Sequence, residues 1–371
     1  METAARKEVY RTGMGAIPHQ NGTAFRVWAP HAEQVFVMGS FNNWSRTEHP
    51  LRSEENGYWY ADVPGAKAGQ EYKFLLKNGE QELERIDPYA RQVTNSVGKG
   101  VIYDHAAFDW QGDAFTPPPH NELVIYEMHI GSFYVDEEGK PGDFDTVLRR
   151  FDYLVKLGVN AVQIMPIAEF AGDYSWGYNP AHIFAVESAY GGPDEFKRFV
   201  REAHRHGLAV ILDVVYNHFG PSDLDLWQFD GWQENDKGGI YFYNDHRSQT
   251  PWGDTRPDYG RGEVRQFIHD NALMWLEDYH VDGLRYDMTL YIRSVHGDGG
   301  EEIPEGWSRD KSVKSDLTSA KKLNGFEIIL SKIETTLEAS FTTPKERVVT
   351  KSTEVIIIKT AVIIRNLDFF I

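Results

Sequence analysis

Two short segments of the 371-residue chain combine carboxylates with the groups that could put them to work. Asp213-Val214-Val215-Tyr216-Asn217-His218 ends one apolar run, and Gly283-Leu284-Arg285-Tyr286-Asp287-Met288 forms another. On an extended strand residues two apart share a face, so the Arg285 guanidinium can hydrogen-bond the Asp287 carboxylate and hold it ionised. A carboxylate kept in that state is prepared to act as a nucleophile. The same side chains have a purely structural use. Asp213 would then cap a loop, His218 would satisfy a backbone carbonyl, and Arg285 with Asp287 would form a partly buried ion pair; spacing alone leaves both readings open. Aromatic residues favour the chemical one. Tyr174, Trp176 and Tyr178 lie in Asp173-Tyr174-Ser175-Trp176-Gly177-Tyr178-Asn179-Pro180, and flat rings at the mouth of a site suit the apolar faces of sugar rings, although loop packing would use them as well.

The carboxylates fall within a strand, helix, strand, helix rhythm that begins at Leu123. Leu123 to Ile130 is an apolar run, and Asp143 opens a helical pattern of Val147, Leu148, Phe151, Leu154 and Val155 that stops at Gly158. Asn160 to Met165 predicts the next strand. Pro193, suited to a first helical turn, opens a second helix with Phe196, Phe199, Val200 and Ala203 on one face, and Gly207 ends it. Leu208 to Val215 is the third strand. Val264, Phe267, Ile268, Leu273 and Trp275 mark a third helix, and Val281 to Met288 the fourth strand. Residues 219–260, heavy in Trp, Asp, Gly and Tyr, are too long for a simple connection and predict a functional loop or a small inserted domain. Four parallel βα repeats fit a doubly wound sheet or part of a barrel, and in a barrel the functional side chains project from the C-terminal ends of the strands.

The flanking regions have different compositions. Residues 1–112 are rich in Gly, Pro and aromatics, with short runs such as Thr23-Ala24-Phe25-Arg26-Val27-Trp28 and Glu71-Tyr72-Lys73-Phe74-Leu75-Leu76 and turns such as Asn78-Gly79, which together predict a β-sandwich. Thr116-Pro117-Pro118-Pro119 reads as a stiff linker and sets a boundary near 111–121, so the second domain spans 113–308. Residues 309–371 differ again: they hold no Trp, Tyr or His, one Gly, and 11 Lys+Arg against 8 Asp+Glu, while residues 1–308 hold 27 against 48. This atypical tail is Ser, Thr, Lys and Ile rich and ends in the β-prone runs Val355-Ile356-Ile357-Ile358 and Ala361-Val362-Ile363-Ile364. The break reads either as a frame change, insertion or fusion, or as an unusual native domain.

Charge and cysteine narrow the partners. The formal net charge of −18 repels phosphate backbones and anionic headgroups, so a neutral ligand is expected rather than nucleic acid or a membrane. The absence of cysteine removes disulfides, thiolate nucleophiles and Cys-type zinc sites. The start Met1-Glu2-Thr3-Ala4-Ala5-Arg6-Lys7 has no apolar core of a signal peptide, and a cytoplasmic location is expected.

The segments 213–218 and 283–287 resemble the first two signature regions of the α-amylase family, glycoside hydrolase family thirteen. Trp176-Gly177-Tyr178-Asn179-Pro180 resembles the segment with which that family contacts substrate after its second strand. Upstream, Phe25-Arg26-Val27-Trp28-Ala29-Pro30 and Gly39-Ser40-Phe41-Asn42-Asn43-Trp44 resemble carbohydrate-binding module family forty-eight, the immunoglobulin-like sandwich that precedes the barrel in glucan-branching and trehalohydrolase members. The resemblance covers about residues 10–308. It implies an immunoglobulin-like β-sandwich followed by an incomplete (β/α)8 TIM barrel of about four βα units, and a retaining mechanism on α-1,4-glucan such as glycogen or a malto-oligosaccharide. In that mechanism Asp287 would attack the anomeric carbon and Arg285 would orient and ionise it. His218 and Tyr178 would line the subsite of the reacting glucose with Trp176 nearby, and Asp213 would organise the strand end. Asn217 sits where some amylases bind calcium, a role the branching members generally lack, so no metal or cofactor is expected. In the sandwich, Trp44 is a candidate glucan contact, whereas Trp28 fits core packing better.

The pattern breaks where a retaining glycosidase needs its second carboxylic acid, about 5 Å from the nucleophile. In the family this is a Glu ending the fifth strand, followed later by a His-Asp pair, and neither motif is found; the match fades after Glu305-Gly306-Trp307-Ser308. Glu327, Glu334, Glu338, Glu346 and Glu354 stand in unrelated contexts. The expectation is therefore a glucan-active enzyme of the branching type, impaired in turnover. The alternatives are a trehalohydrolase-type or other amylase-type hydrolase, a glucan-binding protein without catalysis, and a vestigial product. Four βα units leave the fourth strand with an exposed edge unless the tail covers it.

Overall fold

The computed structural model describes residues 11–221 and 223–293, together with the backbone of Glu354–Ile358 and Ala361–Arg365. Between the Gly, Pro and Asn turns of the first hundred residues, runs of aromatic and β-branched residues form short strands. These are β1 (Gly15–His19), β2 (Gly22–Trp28), β3 (Gln34–Gly39), β4 (Pro50–Ser53), β5 (Tyr58–Pro64), β6 (Glu71–Asn78), β7 (Gln81–Arg85), β8 (Gln92–Val93) and β9 (Gly100–Val101). The antiparallel path runs β1-β2-β5-β4-β3-β6-β9-β8, with β7 pairing β6. β4 is the corner between two layers, since it pairs β5 on one side and β3 on the other. Side chains of both layers fill the space between them: Phe25 and Val27 of β2 share one core with Tyr72, Phe74 and Leu76 of β6. The Phe25 ring centroid lies 5.2 Å from that of Tyr72 and 6.4 Å, edge-on, from that of Phe74.

The second half follows the strand and helix rhythm. It contains β10 (Ile125–Met128), α1 (Ile130–Phe133), α2 (Phe144–Leu148), α3 (Phe151–Lys156), β11 (Ala161–Ile164), β12 (Ala168–Phe170) and β13 (Pro180–Val186). Then come α4 (Gly192–Arg205), β14 (Ala209–Val214), α5 (Gly262–Leu273), β15 (Gly283–Tyr286) and α6 (Thr289–Arg293). β10, β11, β14 and β15 form a parallel ladder in which Ile164 faces Leu212 and Asp213 faces Arg285. β11, β14 and β15 are buried along their whole length, as parallel strands covered on both faces must be. α4 starts with Pro193 in its first turn and buries Phe196, Phe199, Val200 and Ala203, the stripe its spacing requires.

Two elements depart from expectation. The single helix expected between Asp143 and Gly158 is interrupted at Arg149 and Arg150, the latter at φ −113° and ψ 2°. Asp143 caps α2 by accepting from the Thr146 amide at 2.8 Å. The break lets Phe144, Val147, Phe151 and Leu154 all reach the core, which leaves Val155 exposed. The edge of β15 is also covered: β16 (Glu354–Ile358) pairs it antiparallel with Gly283 opposite Ile358, and β17 (Ala361–Arg365) pairs β16. These are the β-prone runs of the tail. The remainder of 309–371, with Glu327, Glu334, Glu338 and Glu346, and the Glu305–Ser308 segment lie outside the described residues. No helix among the described residues is long and apolar enough to cross a membrane.

The sandwich and the barrel segment are stitched together at two places. The chain before the proline linker is laid on α4: Lys197 Nζ donates to the His105 carbonyl at 2.9 Å beneath the rings of Tyr103, Phe108 and Tyr279. His204 lies between Asp113 and Asp282, at 2.9 and 3.0 Å. At the second place the 219–260 excursion, which carries only short helical turns, packs against the sandwich. Arg85 Nε donates to the Phe229 carbonyl at 3.0 Å, Asn78 Nδ2 to the Asp230 carbonyl at 3.0 Å, and the His31 amide to the Asp230 carboxylate at 2.9 Å. Trp28 is buried here, edge-on to Tyr241 at 5.6 Å, which is the core role expected of it.

Phe196 is the centre of this packing, 0% exposed and in ring contact with Phe144, Phe199, Trp275 and Tyr279. Phe196→Ala is expected to cost about 3–5 kcal/mol. The control Tyr153→Ala, at a residue 58% exposed, should stay within about 0.5 kcal/mol in the same urea titration.

Candidate active site

The ladder register brings the predicted residues together. Because Asp213 on β14 stands opposite Arg285 on β15, and Asp287 follows two residues on, one guanidinium reaches both carboxylates. Arg285 Nη1 donates to Asp213 Oδ2 at 2.5 Å and to Asp287 Oδ1 at 3.0 Å. All three side chains are buried, and the Asp287 amide donates to the Val214 carbonyl at 3.0 Å, which fixes where the strand end turns. Arg285 divides its charge between two buried acids. Burial, opposed by Arg285 and reinforced by the charge of Asp287, raises Asp213 to about 8. Its Oδ2 takes a further hydrogen bond from the Tyr178 hydroxyl at 2.8 Å, and its Oδ1 is buried with no hydrogen-bond partner among the described residues.

Asn217 and His218 continue the same turn. Asn217 Nδ2 donates to the Asp287 carbonyl at 2.9 Å and to Asp287 Oδ2 at 3.1 Å, so Arg285 and Asn217 hold the two carboxylate oxygens of Asp287. Asn217 Oδ1 lies 2.5 Å from His218 Nδ1. Both ends of the Asn217 amide are thus engaged with neighbouring side chains. Burial depresses His218 to about 4, so its ring is neutral near pH 7. His218 Nε2 lies 3.2 Å from Asn179 Oδ1, which sets the third strand's end beside the 171–179 loop; the neutral ring has one N–H and donates to only one of the two amide oxygens. That loop is the tip of the β12–β13 hairpin. Gly177 is required in it, because at φ +84° a Cβ would lie 2.2 Å from the Pro166 carbonyl oxygen.

Trp176, at 71% exposure, stands at the hairpin tip, whereas Tyr178 is half-buried against Asp213. Trp44 is far along the chain, on the sandwich; it is half-buried under the Lys99 ammonium, which lies 4.7 Å from its ring. Two contributors were not singled out by the sequence. Trp252, in the 219–260 excursion, stacks on His218 with ring centroids 4.7 Å apart and planes 17° from parallel. His129, just after β10, has Nε2 2.8 Å from the Ser175 carbonyl oxygen and 2.9 Å from the Tyr190 hydroxyl. Trp252 lies in a segment without periodicity, so aromatic composition was the sole signal for it. His129 stands alone in an apolar run.

Residues 13–90 match the carbohydrate-binding module 48 family (isoamylase N-terminal domain), and residues 89–229 match the α-amylase catalytic domain. The chain belongs to the α-amylase superfamily. Over 310 residues it is 38% identical to the 1,4-α-glucan branching enzyme GlgB of Picrophilus torridus, a match covering 80% of this chain and 42% of that protein. It is 34% identical over 275 residues to the malto-oligosyltrehalose trehalohydrolase of Saccharolobus solfataricus, covering 74% of this chain and 45% of that one. Among solved structures, the type I pullulanase of Bacillus subtilis complexed with maltose aligns with a TM-score of 0.62 at 30% identity, covering 76% of this chain and 43% of that one. The chain therefore spans less than half the length of these α-amylase superfamily relatives.

The charge imbalance around Arg285 has a pH signature. A buried acid raised to about 8 contributes most to stability below its unfolded value and loses that contribution as pH rises towards 8. Asp213→Asn removes the ionisation. Between pH 5 and 8 its thermal midpoint should fall less steeply than that of the parent protein, by up to one linked proton; parallel profiles would show that Asp213 is already ionised at pH 5.

Proposed function

We propose that this chain carries an α-1,4-glucan-binding site of the branching-enzyme type, in which Asp287 is the carboxylate that attacks the anomeric carbon. One observation carries the reading: the buried Arg285 guanidinium shared by Asp213 and Asp287, with Asn217 on the second oxygen of Asp287. A nucleophile must be ionised and aimed, and these two donors constrain both oxygens while leaving carboxylate character intact. Asp213 in this reading is an organiser. It is held by Tyr178 and Arg285 and makes no approach to the reacting carbon.

The neutral His218 ring suits a neutral sugar, because it adds no charge beside the anomeric centre. Its stack on Trp252 sets a partly exposed indole beside it. Trp176 and Tyr178 supply further rings from the β12–β13 hairpin. The net charge of −18 agrees with an uncharged polymer as ligand. Attack by Asp287 would form a glycosyl ester as the glycosidic bond breaks, and the departing oxygen must take a proton at that moment. The family's motif for that acid is not found in the sequence, so the proton is assigned to no residue of this chain and turnover is expected to be impaired. Water would then release the sugar in hydrolysis, or a glucan 6-hydroxyl in branching.

The likeness to a trehalohydrolase supports a second reading on the same site, with a trehalose-capped oligosaccharide as substrate. Product analysis with maltoheptaose, a long glucan and a trehalose-capped oligosaccharide distinguishes the two. Asp287→Asn should abolish any turnover, because an amide cannot form the glycosyl ester, while maltoheptaose binding measured by tryptophan fluorescence persists within a few-fold. Turnover surviving in Asp287→Asn would place the chemistry elsewhere, and absence of binding in the parent protein would overturn the glucan reading.

A further inference from the structure

The hairpin that brings Trp176 and Tyr178 to the site is anchored by two acids that the chemistry does not use. Glu169 lies in β12 and Glu187 directly after β13, and each is 1% exposed. They bond reciprocally across the hairpin base. Glu169 Oε2 accepts from the Ser188 amide at 2.8 Å and its Oε1 from the Ser188 hydroxyl at 3.2 Å. Glu187 Oε2 accepts from the Phe170 amide at 3.1 Å and its Oε1 from the Ala189 amide at 3.0 Å. Between these stitches runs the loop 171–179, whose far side reaches the site through Tyr178 on Asp213 and Asn179 on His218.

We propose that Glu169 and Glu187 are positioning residues, a carboxyl clamp that holds the 171–179 loop over the site while the pair retains a proton and loosens when both acids are ionised. The inference about the ligand side of this clamp rests on the glucan reading above, but the clamp itself does not. Two buried carboxylates facing each other without a cation repel when both are charged. Among the described residues neither has an ion-pair partner. Burial and the charge of Glu187 raise Glu169 to about 8, and burial raises Glu187 to about 7, while the amide donors act in the opposite direction.

The groups around the pair reinforce this balance. Asp173 in the loop adds negative charge against both acids, and the Tyr190 hydroxyl faces Glu187. His182, opposite Glu169 in the ladder, has its Nε2 2.9 Å from the Ser96 carbonyl oxygen, and His129 lies against Tyr190. On α4, Asp194 accepts from the Tyr103 hydroxyl and Glu195 pairs with Arg198. The sign follows from linkage. Solvated glutamates titrate near 4.5, so the closed clamp is favoured most below that value, weakens as pH rises, and reaches its floor above about 8.

Amide hydrogen exchange of the full chain between pH 5.5 and 8.5, corrected for intrinsic chemical rates, tests the clamp without any ligand. Protection of the Phe170, Ser188 and Ala189 amides and of the 171–179 loop should fall between pH 6 and 8 by up to about tenfold per pH unit for each of the two acids still protonated in the closed clamp. Amides in the middle of α4 should not follow. Glu169→Gln keeps an acceptor for the Ser188 amide but cannot ionise, so its profile should be shallower than the parent's and level off above about pH 7, where Glu187 is ionised; Glu187→Gln should likewise be shallower than the parent if the first variant does not fold. A flat profile in the parent protein, or the same slope in a folded Gln variant, would overturn the clamp. With the clamp confirmed, maltoheptaose affinity should weaken over the same window in the parent protein and less in the variant; failure to bind at any pH overturns the glucan reading alone.

Discussion

One buried guanidinium fixes the relation between two strand ends. Arg285 can serve Asp213 and Asp287 together only because β14 and β15 run parallel in a register that sets Asp213 opposite Arg285. A one-residue slip would turn Arg285 and Asp287 together to the other face of the sheet and leave Asp213 buried without that guanidinium. The electrostatic demand of this trio therefore specifies the register as firmly as the apolar residues around it. Every other part of the site is placed relative to it: Asn217 on Asp287, Tyr178 on Asp213, and His218 through Asn217.

The sandwich takes part in this architecture through the excursion. The loop that carries Trp252 to His218 has little regular structure of its own, and its backbone polar groups are satisfied in part by sandwich side chains, Arg85 and Asn78 among them. Asp230, fully buried at this seam, accepts from both the amide and the ring of His31. A long connection is held in one conformation because a second domain supplies the donors that its own sequence lacks. Removing the sandwich would thus act on the site mouth over a distance, without any contact between sandwich and ligand.

Much of this was legible in the sequence because the signals were local. Strands with Asp213, Arg285 and Asp287 near their ends, the α4 stripe and the alternation in β6 all arise from spacing along one element. The break at Arg149 and Arg150 was not legible, since the 3.6-residue pattern runs through it unbroken and tertiary packing of Phe144 and Phe151 decides it. Trp252 and His129 were missed for a similar reason: what gives them a role is contact across the fold, on His218 and on Ser175. The pair Glu169 and Glu187 was invisible for the same cause, being eighteen positions apart and joined only when the hairpin closes. The covering of β15 was half foreseen, as an open edge demands a partner, but the antiparallel sense of β16 could not be read from composition.

Lys197 points to a further property of the seam between linker and barrel. Lys197 is 0% exposed beneath several aromatic rings, and burial lowers it to about 8, so about a tenth of it is uncharged amine at pH 7. A free amine is nucleophilic where an ordinary surface lysine is still protonated, yet the rings shield this one from electrophiles. The segment carrying Tyr103, His105 and Phe108 thereby acts as a cover on a latent reactive group, and acylation of Lys197 would record each occasion on which that cover lifts.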